Sequence, residues 1–269
     1  MGGNDLFSDQ ELKKMIVPLF LEQLLVMLVG LADTLVISYA GESAVSGVSL
    51  VNQFNTIFIY LFTALASGGA VLKKEKYNGR ASGGAVVISQ YIGRQDTDLA
   101  GESASQLLMF SFGFSVLLGA AVLLGNEAML CLLFGKVEQP VMEACMIYMR
   151  ISAYSYPALA VYNAGAAVYR SLGKTNVTMY LSVVSNVINV IGNVIGVFVF
   201  RAGVAGVAWP SFFARVFSAV VITFLCFREK NRVVYRGKWI FRWHGSLMKS
   251  ILNVAIPNGV ENGIFQLVK

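Results

Sequence analysis

Residues 15–38 read MIVPLFLEQLLVMLVGLADTLVIS, an apolar run with only two ionisable residues, Glu22 and Asp33. At about 1.5 Å rise per residue, roughly 20 apolar residues cross the hydrocarbon core of a bilayer. A charged side chain at that depth costs at least about 2.5 kcal/mol, so it turns toward a bundle interior or a polar cavity. Glu22 and Asp33 are eleven residues apart, and at 100° per residue they lie within about 20° of one helix face. The first span therefore predicts an acidic stripe, which a simple anchor does not need and a transport pathway does.

The rest of the chain repeats the pattern. Hydrophobic residues make up 56% and charged residues 13%, with a mean hydropathy of +0.65, against about 25% charged in soluble domains. Apolar segments predict membrane helices at 15–38, 47–71, 103–124, 141–168, 177–200 and 204–227, and a seventh starts near Ser250. The expected fold class is all-α and polytopic. The net charge of +6 sits between the spans rather than on one face, so it reads as topology and not as a nucleic-acid surface. Twelve cations, among them Lys13, Lys14, Arg94, Arg170 and Lys174, fall on one side of the alternation, and only Lys136 and Arg201 on the other. That bias predicts a cytoplasmic N-terminus in a multi-pass protein of the plasma membrane.

Two repeats stand out. ASGGAV occurs at 66–71 and again at 81–86, a tandem duplication of fifteen residues. Fifteen residues turn a helix about 60° past whole turns, so both copies cannot keep one face. The second helix is expected to end near Val71, with the basic insert cytoplasmic and the second copy at the interface or in the loop. Its origin is open between a sequencing or assembly artefact and a genuine insert. Pro18-x-x-x-Glu22-Gln23 is echoed by Pro257-x-x-x-Glu261-Asn262, as parallel repeats of a six-helix bundle would require. The expected division is one six-helix lobe over 1–244 and the incomplete start of a second over 245–269.

Three spans carry polar side chains that need partners. Ser182, Asn186, Asn189 and Asn193 fall within about 60° of arc on the fifth, flanked by Gly192 and Gly196. Such a face is either interhelical hydrogen-bond glue or an oxygen-rich wall that, with a carboxylate, holds a hard cation. On the sixth, Ser211, Arg215 and Ser218 share a face, and Arg215 is either a counter-charge to Asp33 or Glu22 or a snorkelling side chain. Glu261 on the seventh is a further intramembrane acid. No enzyme signature survives inspection: Gly173-Lys174-Thr175 lacks the earlier glycine of a phosphate-binding loop. The three cysteines have no paired spacing. Neither catalysis nor a cofactor is expected.

Taken together, these pieces resemble the multidrug and toxic compound extrusion (MATE) transporters. The resemblance rests on Pro18 with Ala32-Asp33-Thr34, on ALASGGAVVISQYIGR once the duplication is removed, and on Tyr169-Arg170-Ser171-Leu172-Gly173-Lys174-Thr175. The asparagine-rich fifth span, followed by Gly203-Val204-Ala205-Gly206-Val207-Ala208-Trp209, completes it. It implies twelve helices in two six-helix lobes, of which this chain carries the N-terminal one and is truncated in helix seven. It also implies export of cationic or amphipathic organic compounds in exchange for Na⁺ or H⁺. Asp33, Asn189, Asn193 and Ser211 match the family's N-lobe cation site, with Asn193 where the fullest sites carry an aspartate. Glu22, Asn186, Arg215 and Glu261 remain candidates for substrate or coupling, although Glu261 is offset from the seventh-helix glutamate that some members use. The missing C-terminal lobe is a partner that transport needs. Two alternatives stay open: a lipid-linked saccharide flippase of the same superfamily, and a non-transporting membrane scaffold.

Overall fold

A computed structural model describes residues 9–67, 84–135, 137–228 and 233–237, together with Gly245. Every regular element among them is helical: α1 (Asp9–Ser38), α2 (Glu42–Ser67), α3 (Gly84–Gly93), α4 (Thr97–Phe134), α5 (Gln139–Ser171), α6 (Thr175–Val194) and α7 (Ala205–Phe227). A single wide turn, Ile195–Val199, extends α6. Five of these helices are long and apolar enough to cross a membrane. Their outer faces carry Phe20, Met27, Leu31, Leu35, Leu117, Leu124 and Phe224, each more than 60% exposed. Large apolar side chains presented outward on helix after helix form the surface that lipid solvates.

The sixth long helix, α5, is the least apolar and the most enclosed. It packs against α2, α4 and α7, and those neighbours let it carry Tyr148, Ser152, Ser155 and Tyr156 without exposing them to lipid. Small residues bring the partners close. A Cβ on Gly165 would lie 2.7 Å from the Ile222 side chain of α7.

Element boundaries depart from the hydropathy reading where capping chemistry acts. Helix α4 starts six residues before the expected 103 because the Asp96 carboxylate accepts from the Leu99 amide at 3.0 Å, satisfying one of the free N–H groups of the first turn. It ends at Gly135, whose φ of +65° is a conformation glycine adopts cheaply. The described part of α2 runs to Ser67, and an end near Val71 lies outside the described residues. The second ASGGAV copy is a correction: its last three residues, 84–86, are helical within α3 rather than loop. Ile88 of α3 is fully buried with Ala66 of α2, Leu107 of α4 and Val168 of α5. Packing an apolar turn there removes it from water, which a loop placement would not. The insert between the copies, and the seventh span with Pro257 and Glu261, lie outside the described residues.

At the end of the bundle that carries Arg94, Arg170 and Lys174, residues 233–236 fold back onto the helices. The Tyr235 amide donates to the Cys226 carbonyl at 3.0 Å, and Arg236 pairs with Asp98 at 3.8 Å. Val233 and Tyr235 are buried beneath.

Helices α6 and α7 meet almost backbone to backbone. A Cβ on Gly206 would lie 2.7 Å from the backbone carbonyl of Gly196, and one on Gly192 would lie 2.6 Å from Pro210. Gly206→Ala therefore has to push the two helices apart, at a cost of about 1–3 kcal/mol for overpacking. The expected result is a lower thermal unfolding midpoint in detergent; an unchanged midpoint would show that the contact yields without strain.

Candidate functional site

Three helices converge on Asp33. It sits half-buried on α1, and the fully buried Asn193 of α6 donates from Nδ2 to its Oδ1 at 2.6 Å. The same Nδ2 donates to Asn189 Oδ1 at 3.1 Å, and Asn189 Nδ2 donates to Ser211 Oγ of α7 at 2.8 Å. Ser211 in turn donates to the Val207 carbonyl at 3.0 Å. The result is a polar chain from α1 through α6 to α7. The i, i+4 spacing of Asn189 and Asn193 makes the link within α6, and the glycine contacts let α7 come near enough for Ser211 to join it. The wide turn begins two residues after Asn193; such turns are frequent at functional positions.

One atom in this chain is left over. Asn193 Oδ1 is buried and has no hydrogen-bond partner among the described residues. A buried acceptor without a donor costs about 1–3 kcal/mol, and beside a carboxylate it is a ready ligand for a cation. Asp33, Asn189, Asn193 and Ser211 thus meet as one oxygen-bearing cluster.

Glu22, the other acid of the apolar run, does something else. Glu22 is buried, and its Oε1 accepts from Arg170 Nη2 at 3.3 Å. Arg170 belongs to the last turn of α5, so a residue read as a loop cation is a partner within the bundle. Glu22 and Asp33 share a face of α1, yet about 16 Å of helix rise separates them and they join different neighbours.

Asn186 and Arg215 belong to a second place. With Leu159 and Tyr162 of α5, Ser182 and Ser185 of α6 and Ser218 of α7, they line a cavity of about 240 Å³. Arg215 makes no ion pair within 4 Å to Asp33 or Glu22, although it lies within electrostatic range of Asp33. Its Nη1 donates to Ser155 Oγ at 2.6 Å, and Ser155 donates to the Ser152 carbonyl at 2.6 Å. The asparagine face of α6 therefore splits, with Asn189 and Asn193 turned to Asp33 and Ser182 and Asn186 to Arg215.

Sequence reasoning missed the network behind Arg215. Asn55 of α2 donates to Ser152 Oγ at 3.0 Å and accepts from the Tyr156 hydroxyl at 2.7 Å; Tyr148 donates to Asn52 Oδ1 at 3.0 Å. Tyr148 and Tyr156 are buried. The signal was present: Asn52 and Asn55 are three apart, and Tyr148, Ser152, Ser155 and Tyr156 recur at helical spacing.

Comparison with known proteins agrees with this architecture. The family profile described as MatE matches residues 18–74 and 77–195. The chain is 25% identical to the "Uncharacterized transporter YisQ" of Bacillus subtilis over 254 residues, covering 93% of this chain and 52% of that protein. It is 25% identical to the "Probable multidrug resistance protein NorM" of Thermotoga maritima over 261 residues, covering 95% of this chain and 52% of that one. Its fold matches the outward-facing conformation of a multidrug resistance MATE family transporter of the MOP superfamily. There the TM-score is 0.82 at 20% identity, over 96% of this chain and 52% of the other. The chain spans about half the length of the curated relatives it matches. It is a multi-pass membrane protein, and it belongs to the MATE family, whose members are transporters and not enzymes.

Proposed function

We propose that this chain is the N-terminal lobe, over 1–244, of a secondary antiporter in the plasma membrane, with its N-terminus in the cytoplasm. A second lobe beginning near residue 245 completes the cleft. The exported compounds are cationic or amphipathic organic molecules, and the driving ion is Na⁺ or H⁺, held at Asp33. One observation carries the reading: a lone carboxylate on α1 joined through Asn193 and Asn189 to Ser211, with the Asn193 carbonyl oxygen buried and unpaired.

That oxygen suggests how the ion is sensed. With no ion, the Asn193 amide presents its NH₂ to the carboxylate. With Na⁺ at Asp33, turning the amide by half a rotation brings its carbonyl to the ion, and the cost of the unpaired acceptor is relieved. Carboxylate, amide carbonyl and hydroxyl oxygens are the ligands hard cations prefer. A proton on Asp33 instead makes the carboxyl a donor, which also favours the carbonyl orientation. Either event changes what ties α1 to α6. A conformational equilibrium shifts only by the difference in ion affinity between its two states, and this contact is where the difference arises.

The test is ²²Na⁺ binding to the purified chain in detergent, together with tetraphenylphosphonium as a cationic probe. Na⁺ or acidification is expected to weaken binding of the probe; if neither does, the antiport reading fails. Asn193→Asp supplies a second carboxylate. It is expected to tighten Na⁺ binding by about 10-fold, a modest share of the attraction between unit charges at 4 Å. Weaker Na⁺ binding in that variant would place the ion elsewhere.

A further inference from the structure

The cavity beside Arg215 has a polarity opposite to the Asp33 cluster. Its lining holds one fixed positive charge and no carboxylate. Its polar groups, the guanidinium, the Asn186 amide and the hydroxyls of Tyr162 and Ser218 among them, can all donate hydrogen bonds. Asn186 Nδ2 is buried without a partner among the described residues. At the Asp33 cluster the buried orphan is an acceptor; here it is a donor. A donor left over beside a guanidinium calls for an anionic oxygen, because charge-assisted bonds of this kind are the strong ones.

Only one of Arg215's five donors is engaged by Ser155. That bond holds the side chain against α5, and the rest of the guanidinium makes no hydrogen bond or ion pair among the described residues. The acids around it are accounted for. Glu22 lies within electrostatic range of Tyr162, as does Arg170, and that pair is neutral as a unit. Asp33 lies within electrostatic range of Arg215. At about 30 Å³ per water, the volume of about 240 Å³ accommodates a carboxylate or phosphate group with several carbons attached.

We propose that the cavity between α5, α6 and α7 is a binding site for the anionic headgroup, carboxylate or phosphate, of an amphipathic molecule, with Arg215 as its counter-charge and Asn186 as a hydrogen-bond donor. The site goes beyond the antiporter reading, because its anion binds together with the ion instead of exchanging for it, and it rests on that reading only for the meaning of its coupling to Asp33. An ionised Asp33 offsets Arg215. A cation or proton at Asp33 removes the offset and strengthens the hold on an anion. By reciprocity, the anion strengthens the hold on the cation. Cationic molecules compete with the coupling ion, whereas anionic ones bind together with it.

The experiment titrates the purified chain with 11-(dansylamino)undecanoic acid, followed by its fluorescence, with the methyl ester as the uncharged control. The acid is expected to bind about 10-fold tighter than the ester, the usual worth of a hydrogen-bonded charge. Arg215→Gln removes that difference and Arg215→Lys keeps part of it. Asp33→Asn should tighten the acid by about 5-fold, the low end of typical coupling between sites, and leave the ester unchanged. Asn186→Asp, which puts a negative charge in the cavity, should exclude the acid and serves if Arg215→Gln does not fold.

Equal binding of acid and ester overturns the proposal, and so does Arg215→Gln with the difference intact. Asp33→Asn weakening both ligands alike also overturns it. Loss of ²²Na⁺ binding is read separately, so failure at Asp33 and failure at Arg215 are distinguishable. Repeating the titration in nanodiscs of phosphatidylcholine and of phosphatidylglycerol identifies the source. Displacement of the acid by phosphatidylglycerol alone assigns the site to a lipid headgroup, and equal binding in both assigns it to a free solute.

Discussion

Asp33→Asn is expected to weaken ²²Na⁺ binding by more than about 100-fold, because it removes the one full negative charge among the oxygens of the cluster. The antagonism between Na⁺ and tetraphenylphosphonium should vanish with it. The substitution is close to isosteric. An asparagine carbonyl at 33 still accepts from Asn193 Nδ2, which now donates to Asp33 at 2.6 Å, so the tie between α1 and α6 persists. The unfolding midpoint should therefore stay near that of the parent chain while ion binding disappears. That combination separates a site from a structural contact. Retained Na⁺ binding in Asp33→Asn, with normal antagonism, would exclude Asp33 as the ion's carboxylate.

Arg170→Met should be the most destabilising single change at the basic end of the bundle. The Glu22 side chain is 7% exposed and that of Arg170 is 32% exposed. Removing the arginine leaves a buried carboxylate whose second oxygen already lacks a partner. Breaking a fully buried pair costs about 3–5 kcal/mol. Arg170 reaches solvent, which screens the interaction, so about 2 kcal/mol is expected here. Glu22→Gln should cost less, because the abandoned guanidinium can turn toward water. The double variant should recover most of the loss, as neutral replacements of buried pairs often do. Denaturant unfolding of the four proteins in one detergent decides this. Equal losses from the two single changes, or full additivity in the double, would mean that the pair contributes no coupling.

The α2–α3 region shows what one-dimensional reading misses. Hydropathy left the second ASGGAV copy at the interface or in a loop, yet its residues 84–86 are helical in α3, where Ile88 is fully buried. Composition cannot distinguish a turn that continues in lipid from one that packs under neighbours. Helix α5 makes the same point from the other direction. Its polar residues lower its apolarity, and they are sheltered because α2, α4 and α7 surround it.

At the candidate site the division follows the range of the forces. Spacing along a helix determines which side chains share a face, so Asp33 and Glu22 on α1, Asn186, Asn189 and Asn193 on α6, and Ser211 and Arg215 on α7 were legible from residue numbers alone. The transmembrane architecture was legible too, since about 20 apolar residues in a row have few other soluble fates. Which residue on one helix meets which on another depends on crossing angles and on close approaches such as Gly196 to Gly206. Those are settled by packing between helices, across separations that run from ten residues at Gly196 and Gly206 to 160 at Asp33 and Asn193. Hence Asp33 meets Asn193 across 160 residues and Glu22 meets Arg170 across 148, while Arg215 bonds Ser155 rather than an acid. The sequence by itself determined a helical membrane bundle with acids and amides turned inward. Only the tertiary structure decided that they form an oxygen-bearing cluster around Asp33, a buried ion pair and a separate basic cavity, because pairing across helices is a property of the packed chain and not of any segment in it.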